Sequence, residues 1–219
     1  HASTGKSSIA KELAVKYGYI YINSGSMYRA VTLFAIENNL LAITKNNINL
    51  FIDKLRQNSI NFKFNDNSLI SEIYLNNRNI ENEIGGMQVS KLVSEIAAIP
   101  EIRKEMVKLQ RTIDRGKGVV MDGRDIGSVV FPDADLKLFL TASDSVRAKR
   151  RFEEMVKKGL VVSYDDILYN IKNRDLLDST RSDSPLKIEK DSVVIDNSHM
   201  SIKEQINKIS KLIEENFSN

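Results

Sequence analysis

A short run near the start of the sequence has the residue types that bind phosphate. Gly5, Lys6 and Ser7 match the second half of the phosphate-loop pattern G-x-x-x-x-G-K-S/T. In such a loop the backbone N–H groups at a helix N-terminus hold the anion, and a lysine reaches the outer phosphates. The hydroxyl of Ser7 or of Ser8 can help to hold Mg²⁺. The run therefore favours a polyphosphate site, although half of this motif also arises by chance at a helix start.

A second cluster of charged residues follows a predicted strand. Asp122, Arg124 and Asp125 come directly after the apolar residues 119–121. Ligands of open α/β sheets bind beyond the carboxyl ends of strands, and nearby glycines such as Gly127 permit a close approach. The position favours a ligand site over the alternative, which is a solvated loop with a local Asp–Arg pair.

A third cluster has the spacing of one helix face. Arg174, Asp178 and Arg181 stand at i, i+4 and i+7, and they share a face if the helix continues that far. Two guanidinium groups can grip a phosphate while the carboxylate orients them or accepts a sugar hydroxyl. The same spacing is typical of an exposed ion-pair ladder, worth about 0.2–0.5 kcal/mol per pair. Spacing alone leaves both interpretations open.

Two further groups are ambiguous in the same way. Arg147, Arg150 and Arg151 lie on a basic helix that could close as a lid over a polyphosphate or simply face solvent. Ser24, which stands with Ser26 at a predicted strand-to-helix junction, is followed by an arginine at position 29. N-capping accounts for one of the two serines but leaves the arginine unexplained.

Strands alternate with helices along most of the chain, which favours a parallel α/β sheet with helices on both faces. Gly18 predicts the end of a first helix. The predicted strands are residues 19–22, 119–121, 136–140 and 193–195. The predicted helices are residues 27–37, 44–57, 89–97, 100–115, 143–158, 163–178 and 201–217.

One segment breaks the alternation. Residues 60–64 and 69–75 read as strands around the turn signal Asn65-Asp66-Asn67, which predicts an antiparallel hairpin. We therefore predict a core of residues 1–57 and 87–219, with an antiparallel insertion at residues 58–86.

The composition excludes several kinds of chemical site and argues against two classes of protein. The 219 residues include no cysteine and only two histidines, which excludes disulfides, thiolate nucleophiles and multi-histidine metal centres. A formal net charge of +3 is too mild to imply bulk nucleic-acid binding, and no apolar run approaches the roughly 20 residues of a membrane span. We expect a cytoplasmic monomer, and we expect an apolar strand and the first loop glycine to precede His1 in the intact protein.

These motifs together resemble those of the bacterial-type cytidylate kinases, which are nucleoside monophosphate kinases with a phosphate loop. The resemblance spans nearly the whole chain, and residues 122–134 carry its most specific part. Ser7 stands where the family commonly has a small residue such as glycine, which leaves the metal-side hydroxyl open between Ser7 and Ser8. The matching stretches are residues 5–8, 24–29, 93–98, 100–103, 122–134, 174–181 and 184–186.

The resemblance implies a three-layer core with a parallel sheet, a monophosphate-binding insertion at residues 58–86 and a helical lid at about residues 145–160. It implies phosphoryl transfer from ATP to CMP or dCMP with Mg²⁺, and no nucleic-acid or membrane partner. Alternatives are another nucleotide acceptor, such as UMP or AMP, and a nucleotide-binding module without catalysis.

The resemblance also implies roles for individual residues. The residues expected at ATP and its metal are Gly5, Lys6, Ser7, Ser8, Arg147 and Arg151. The residues expected around the acceptor base are Ser24, Ser94, Arg103 and Asp125. The residues expected at the acceptor phosphate are Arg29, Arg124 and Arg181, with Asp178 and Arg174 at the sugar and the transferring group. The residues expected to be catalytic are Lys6, Arg124, Arg174, Asp178 and Arg181.

Overall fold

The structure is a computed structural model that describes residues 1–65, 70–113 and 118–217, without the side chain at position 45. The chain divides into two compact units, which we call the first unit (residues 1–13 and 124–219) and the second unit (residues 14–123). The sequence predicted residues 58–86 as an insertion distinct from the core. These units follow other boundaries, because apolar residues of that segment share a core with helices that precede and follow it in sequence.

The second unit is built on a sheet whose strands run in the order β2-β3-β1-β5. β1 (Ile20–Asn23) and β5 (Val119–Asp122) pair in parallel along their whole length. The predicted strands at these two places are thus confirmed. Their register aligns Asn23 with Asp122, so both strands end at the same level.

The predicted hairpin is confirmed, and it extends the same sheet. β2 (Ile60–Asn65) pairs antiparallel with β3 (Ile70–Leu75), and β3 pairs in parallel with β1. A short strand, β4 (Arg78–Asn79), pairs antiparallel with β3. The predicted turn residues Asp66 and Asn67 lie outside the described residues.

One prediction about the helices of this unit is wrong. The helix predicted at residues 44–57 is interrupted at Asn47, whose φ of −150° is not helical and whose side chain accepts a hydrogen bond from the Leu50 N–H at 3.2 Å. The helices are α2 (Ser24–Glu37), α3 (Leu41–Asn46), α4 (Ile48–Arg56), α5 (Met87–Ala97) and α6 (Pro100–Arg111).

The core of the second unit packs α2 against the hairpin and against α5 and α6. Each of these elements contributes buried apolar side chains, and so do α4 and the segment after β4. These side chains include Ala30, Val31, Ala35, Phe51, Ile73, Ile80, Ile102 and Met106.

The first unit contains a parallel pair of strands with helices. β6 (Lys137–Thr141) and β7 (Ser192–Asp196) pair from Lys137↔Ser192 to Thr141↔Asp196. The helices are α1 (Lys6–Tyr17), which begins in this unit, and α7 (Asp144–Lys157), α8 (Tyr164–Thr180) and α9 (Ile202–Phe217). α7 and α8 pack together around Ala148, Ile167 and Ile171.

The predicted end of the first helix is confirmed, and a second helix has a clear N-cap. Gly18 follows α1 with a φ of +67°, a conformation that glycine adopts at little cost. Ser163 caps α8 by accepting a hydrogen bond from the Asp166 N–H at 3.4 Å. The fold is therefore α/β with mainly parallel strand pairing, as the sequence predicts. Within the described residues, no helix is long and apolar enough to cross a membrane.

Candidate active site

The run Gly5-Lys6-Ser7 forms a tight loop that leads into a helix. Gly5 has a φ of +83°, and α1 begins at the next residue. The Lys6 Nζ donates a hydrogen bond back to the His1 carbonyl, which also accepts a weaker one from the Thr4 hydroxyl at 3.4 Å. Lys6 is therefore folded over the loop, with its ammonium group beside the backbone that precedes the helix.

Asp175 of α8 fastens the beginning of this loop. Its carboxylate accepts a hydrogen bond from the Ala2 N–H at 3.3 Å, lies 3.2 Å from the His1 Nδ1 and pairs with Arg147. Burial alone would raise the pKa of Asp175, but the hydrogen bonds from His1 and Arg147, the charge of Arg147 and the bond from Ala2 outweigh burial and lower it. The loop is thus held by a carboxylate that stays ionised.

The three arginines of α7 do not share one free face. Arg147 is only 2% exposed and donates to the carbonyls of Ala142 at 3.0 Å and Ala2 at 3.2 Å. Arg150 donates to Asn197, and Arg151 pairs with an exposed glutamate. The resemblance implies ATP contacts for Arg147 and Arg151. In this unit Arg147 supports the loop, and the side chain of Arg151 is 43% exposed.

Two members of the cluster predicted on α8, Asp178 and Arg181, come together, and Arg124 joins them. The Arg124 Nε donates to the Asp178 Oδ2 at 2.7 Å, and the Arg181 Nη1 lies 3.7 Å from the Asp178 Oδ1. α8 ends at Thr180, one residue earlier than a shared helix face required, yet Arg181 still reaches Asp178. Arg174, one turn earlier, is exposed.

Two backbone bonds close the end of this cluster. The Arg181 Nε donates to the Ser184 carbonyl at 2.7 Å, and the Leu186 N–H donates to the Asp178 carbonyl at the same distance. The arginine side chains of the cluster are 10–19% exposed, so they are largely desolvated without being sealed from solvent. One carboxylate therefore orients two guanidinium groups at a place that an anion can reach.

Asp125 begins an unusual helical turn. Asp125 is only 4% exposed. Its backbone carbonyl accepts hydrogen bonds from the N–H groups of Val129 and Val130. The bond from Val130 spans five residues, the pattern of a π-turn, which is frequent at functional sites. Gly127 within the turn packs closely on Lys137, since a Cβ there would lie 3.1 Å from the Lys137 Cδ.

In the second unit, Ser24 is 3% exposed and donates its hydroxyl to the Asp122 carbonyl at 2.7 Å. The N-cap of α2 is Asn23, whose side chain accepts from the Gly25 N–H at 3.0 Å. The interpretation that a serine caps this helix is therefore wrong. Ser24 instead joins the ends of two parallel strands.

Three other residues that the resemblance assigns to the acceptor also lie in the second unit. The Arg29 Nη1 donates to the Ile84 carbonyl and to the Ser90 hydroxyl, both at 3.0 Å. Arg103 is 2% exposed, donates to the Ala97 carbonyl at 3.0 Å and lies over the Tyr28 ring at 5.4 Å from its centroid. Ser94, on α5, is half-buried.

Metal binding by this chain would rest on hydroxyl groups. Mg²⁺ in nucleotide sites keeps few protein ligands and relies on substrate phosphates. Ser7 is half-buried and Ser8 is exposed, both in the first turn of α1 beside Lys6, so the donor set fits such an ion. No group of three or more histidine or acidic side chains able to hold a metal occurs among residues 1–65, 70–113 and 118–217.

Sequence reasoning did not find Asp175 or Asn197 as supports of the loop. Both contact residues more than 170 positions away, and no local motif marks such partners. The only available signal was their position, since Asp175 lies within a predicted site helix and Asn197 directly follows a strand.

Comparison with known proteins places the chain in a family. A sequence profile described as "Cytidylate kinase" matches residues 1–215. A cytidylate kinase of Parabacteroides distasonis is 47% identical over 205 residues, covering 94% of this chain and 90% of that protein. Those of Flavobacterium psychrophilum and Flavobacterium johnsoniae are 46% and 44% identical over 212 residues, each covering 97% of this chain and 94% and 92% of those proteins. With identity of this extent along nearly its whole length, this chain belongs to the cytidylate kinase family.

Proposed function

We propose that this chain transfers the γ-phosphoryl group of ATP to CMP or dCMP, releasing ADP and CDP or dCDP. The observation that carries this proposal, beside the family, is the pairing of Arg124 and Arg181 with Asp178. Two guanidinium groups oriented by one carboxylate form a binding group for the phosphate of a nucleoside monophosphate.

On the donor side, the loop at Gly5 and Lys6 holds the phosphates of ATP. The ammonium of Lys6 exchanges the His1 carbonyl for phosphate oxygens, a short movement because the side chain already lies over the loop. The hydroxyl of Ser7 or Ser8 would hold Mg²⁺, which would supply neutralisation of the phosphate charge. The side chain of Arg151 is 43% exposed and can leave its glutamate partner for ATP.

On the acceptor side, Arg29, Arg124 and Arg181 hold the phosphate of CMP. Arg174 and Asp178 act at the sugar and the transferring group. The attacking phosphate oxygen is already anionic, so the reaction needs positioning and charge neutralisation rather than a strong base. Closure of a lid at about residues 145–160 excludes water and protects ATP from hydrolysis.

Selection of cytosine rests on Asp125, Ser94 and Arg103. The N4 amino group of cytosine donates a hydrogen bond, which a carboxylate at Asp125 or the Ser94 hydroxyl accepts. The resemblance assigns Arg103 to N3 or O2 of the base and Ser24 to the acceptor. Uracil presents an acceptor in place of the amino group, so a buried carboxylate would discriminate against it.

An acceptor panel tests this proposal. The chain is assayed with ATP and Mg²⁺ against CMP, dCMP, UMP, AMP and GMP, and ADP release is followed. We expect kcat/KM for CMP and dCMP to exceed that for UMP by at least about 100-fold, because the base pocket is built from hydrogen-bonding groups. Preferential turnover of another acceptor overturns the substrate assignment, and no turnover with any acceptor overturns catalysis.

A further inference from the structure

A buried asparagine in the first unit has every polar group engaged. Asn197 directly follows β7 and is 0% exposed. Its backbone N–H donates to the Thr141 carbonyl at 2.8 Å, and its side-chain oxygen accepts from the Arg150 Nη1 at 2.9 Å. Its side-chain nitrogen donates to the Thr4 carbonyl at 2.8 Å and to the Gln205 Oε1 at 2.6 Å.

The bond to Thr4 controls the direction of one peptide group in the phosphate loop. In a trans peptide, the C=O and the following N–H point in opposite directions. Asn197 binds the Thr4 carbonyl, so the Gly5 N–H is directed away from Asn197. Gly5 is exposed, which leaves that N–H on the open side of the loop, next to the start of α1.

Water cannot replace Asn197 as the hydrogen-bond donor to the Thr4 carbonyl, because Thr4 is only 1% exposed. A buried carbonyl without a hydrogen-bond partner is costly, so the loop would rearrange if the asparagine amide were lost. An aspartate at position 197 would present an oxygen to two acceptors and would not replace the amide.

Two neighbours fix the amide of Asn197 in this orientation. The Gln205 side chain of α9 is 3% exposed, accepts from the amide and donates to the Met200 carbonyl at 3.1 Å. Arg150 of α7 donates to both the side-chain oxygen and the backbone carbonyl of Asn197. Because only the amide nitrogen faces Thr4, the asparagine cannot flip without breaking both sets of bonds.

We propose that Asn197 is a positioning residue for the phosphate loop, which it holds in the conformation that binds the phosphates of ATP. It acts through the Thr4–Gly5 peptide and does not touch the substrate. This proposal rests on the proposed function, since it assigns the loop to ATP. It requires that loss of Asn197 weaken ATP binding selectively, with CMP binding preserved.

The test compares Asn197→Ala with Ile195→Ala, a matched control on β7. Ile195 is also 0% exposed but lies in the apolar interior. Binding of ATP and of CMP is measured by calorimetry on folded protein, beside KM for each substrate and kcat. For Asn197→Ala we expect affinity for ATP to fall by about 10- to 100-fold, because a small displacement of a positioned group has effects of that size. We expect its affinity for CMP to stay within about twofold.

Ile195→Ala is expected to lower the melting temperature, while its affinities for ATP and for CMP stay near those of the unmodified chain. This control separates a positioning role from general destabilisation. Equal losses for ATP and CMP in Asn197→Ala, or an unchanged affinity for ATP, overturn the proposal. Asn197→Asp, which retains the size and the bond to Arg150, gives a second measurement if the alanine variant does not fold. It is expected to show the same selective loss for ATP.

The unmodified chain separates failure of this proposal from failure of the proposed function. If that chain turns over ATP and CMP but Asn197→Ala and Asn197→Asp bind ATP normally, only the role of Asn197 is overturned. If the unmodified chain binds no ATP, the function assigned to the loop is overturned with it.

Discussion

Asp178 connects two arginines that are far apart in sequence. Its Oδ2 accepts from Arg124, which follows β5, and its Oδ1 lies near Arg181 at the end of α8. A guanidinium that is held in place loses little conformational entropy when it binds a phosphate. The carboxylate therefore keeps two positive groups in position, and we propose that this is its contribution to the reaction.

Asp178→Asn tests this contribution. The asparagine keeps the shape of the side chain but removes the charge that holds Arg124 and Arg181, so we expect kcat/KM for CMP to fall by about 100-fold. The measurement is steady-state kinetics with ATP in excess. The control is Glu105→Gln, which also removes a carboxylate paired with two cations, Arg56 and Lys108. A value for Asp178→Asn within about twofold of the unmodified chain would contradict the proposed role.

Asp175 makes the stability of the fold depend on pH. Burial opposes the shift, but the hydrogen bonds from His1 and Arg147 place the pKa of Asp175 below its ordinary value of 3.8. The folded state thus favours the ionised form, and this stabilisation is present above pH 3.8. It is lost as the pH falls through the lowered pKa.

We therefore expect Asp175→Asn to lower the free energy of unfolding at neutral pH and to flatten its decline below about pH 5. Urea unfolding at a series of pH values measures both effects. Asp133→Asn, at an exposed position, serves as the control and should stay within about 0.5 kcal/mol of the unmodified chain. An acid dependence that Asp175→Asn leaves unchanged would show that the carboxylate does not act through ionisation.

Local sequence could predict which charged residues belong to the candidate site, but it could not predict all of their contacts. Helical spacing predicted that Arg174, Asp178 and Arg181 belong together, and the last two do meet. The same reasoning placed Arg147 either in a lid over a polyphosphate or facing solvent. Its burial depends on Ala2 and Asp175, whose proximity is a property of the tertiary structure.

Helices and strands follow the patterns of the sequence closely, with one instructive exception between α3 and α4. Apolar periodicity continues through residues 44–57, so it predicts one helix. Asn47 instead caps α4 with its side chain. Such a side chain competes with the backbone for hydrogen bonds, and apolar periodicity does not predict this competition. The sequence also could not predict that the hairpin joins the sheet beside β1. The parallel pairing of β3 with β1 leaves no signal in the local sequence.

The cap at Asn47 gives a prediction about stability. Asn47→Ala removes the acceptor for the Leu50 N–H and should lower the free energy of unfolding by about 1 kcal/mol. Urea unfolding measures this change. Asn46→Ala is the matched control, since the neighbouring asparagine is the last residue of α3 and alanine is the better helix former. Equal effects of the two substitutions would contradict the cap.

For the chain as a whole, the alternation of strands and helices predicted the α/β class, and the motifs predicted the family. The boundaries of the compact units were not predicted, because they depend on which apolar faces share a core. Residues 58–86 differ in pattern from their surroundings, yet Ile60, Ile73 and Ile80 are buried with the apolar residues of α2.

The central claim is that ATP and CMP are converted to ADP and CDP at groups supplied by this chain. The most direct measurement is chromatographic analysis of all four nucleotides during the reaction with Mg²⁺, for the unmodified chain and for Lys6→Ala. We predict that CDP and ADP form one to one and that Lys6→Ala forms them at least about 100-fold more slowly. ADP formation without CDP, or a Lys6→Ala variant as fast as the unmodified chain, would contradict the account.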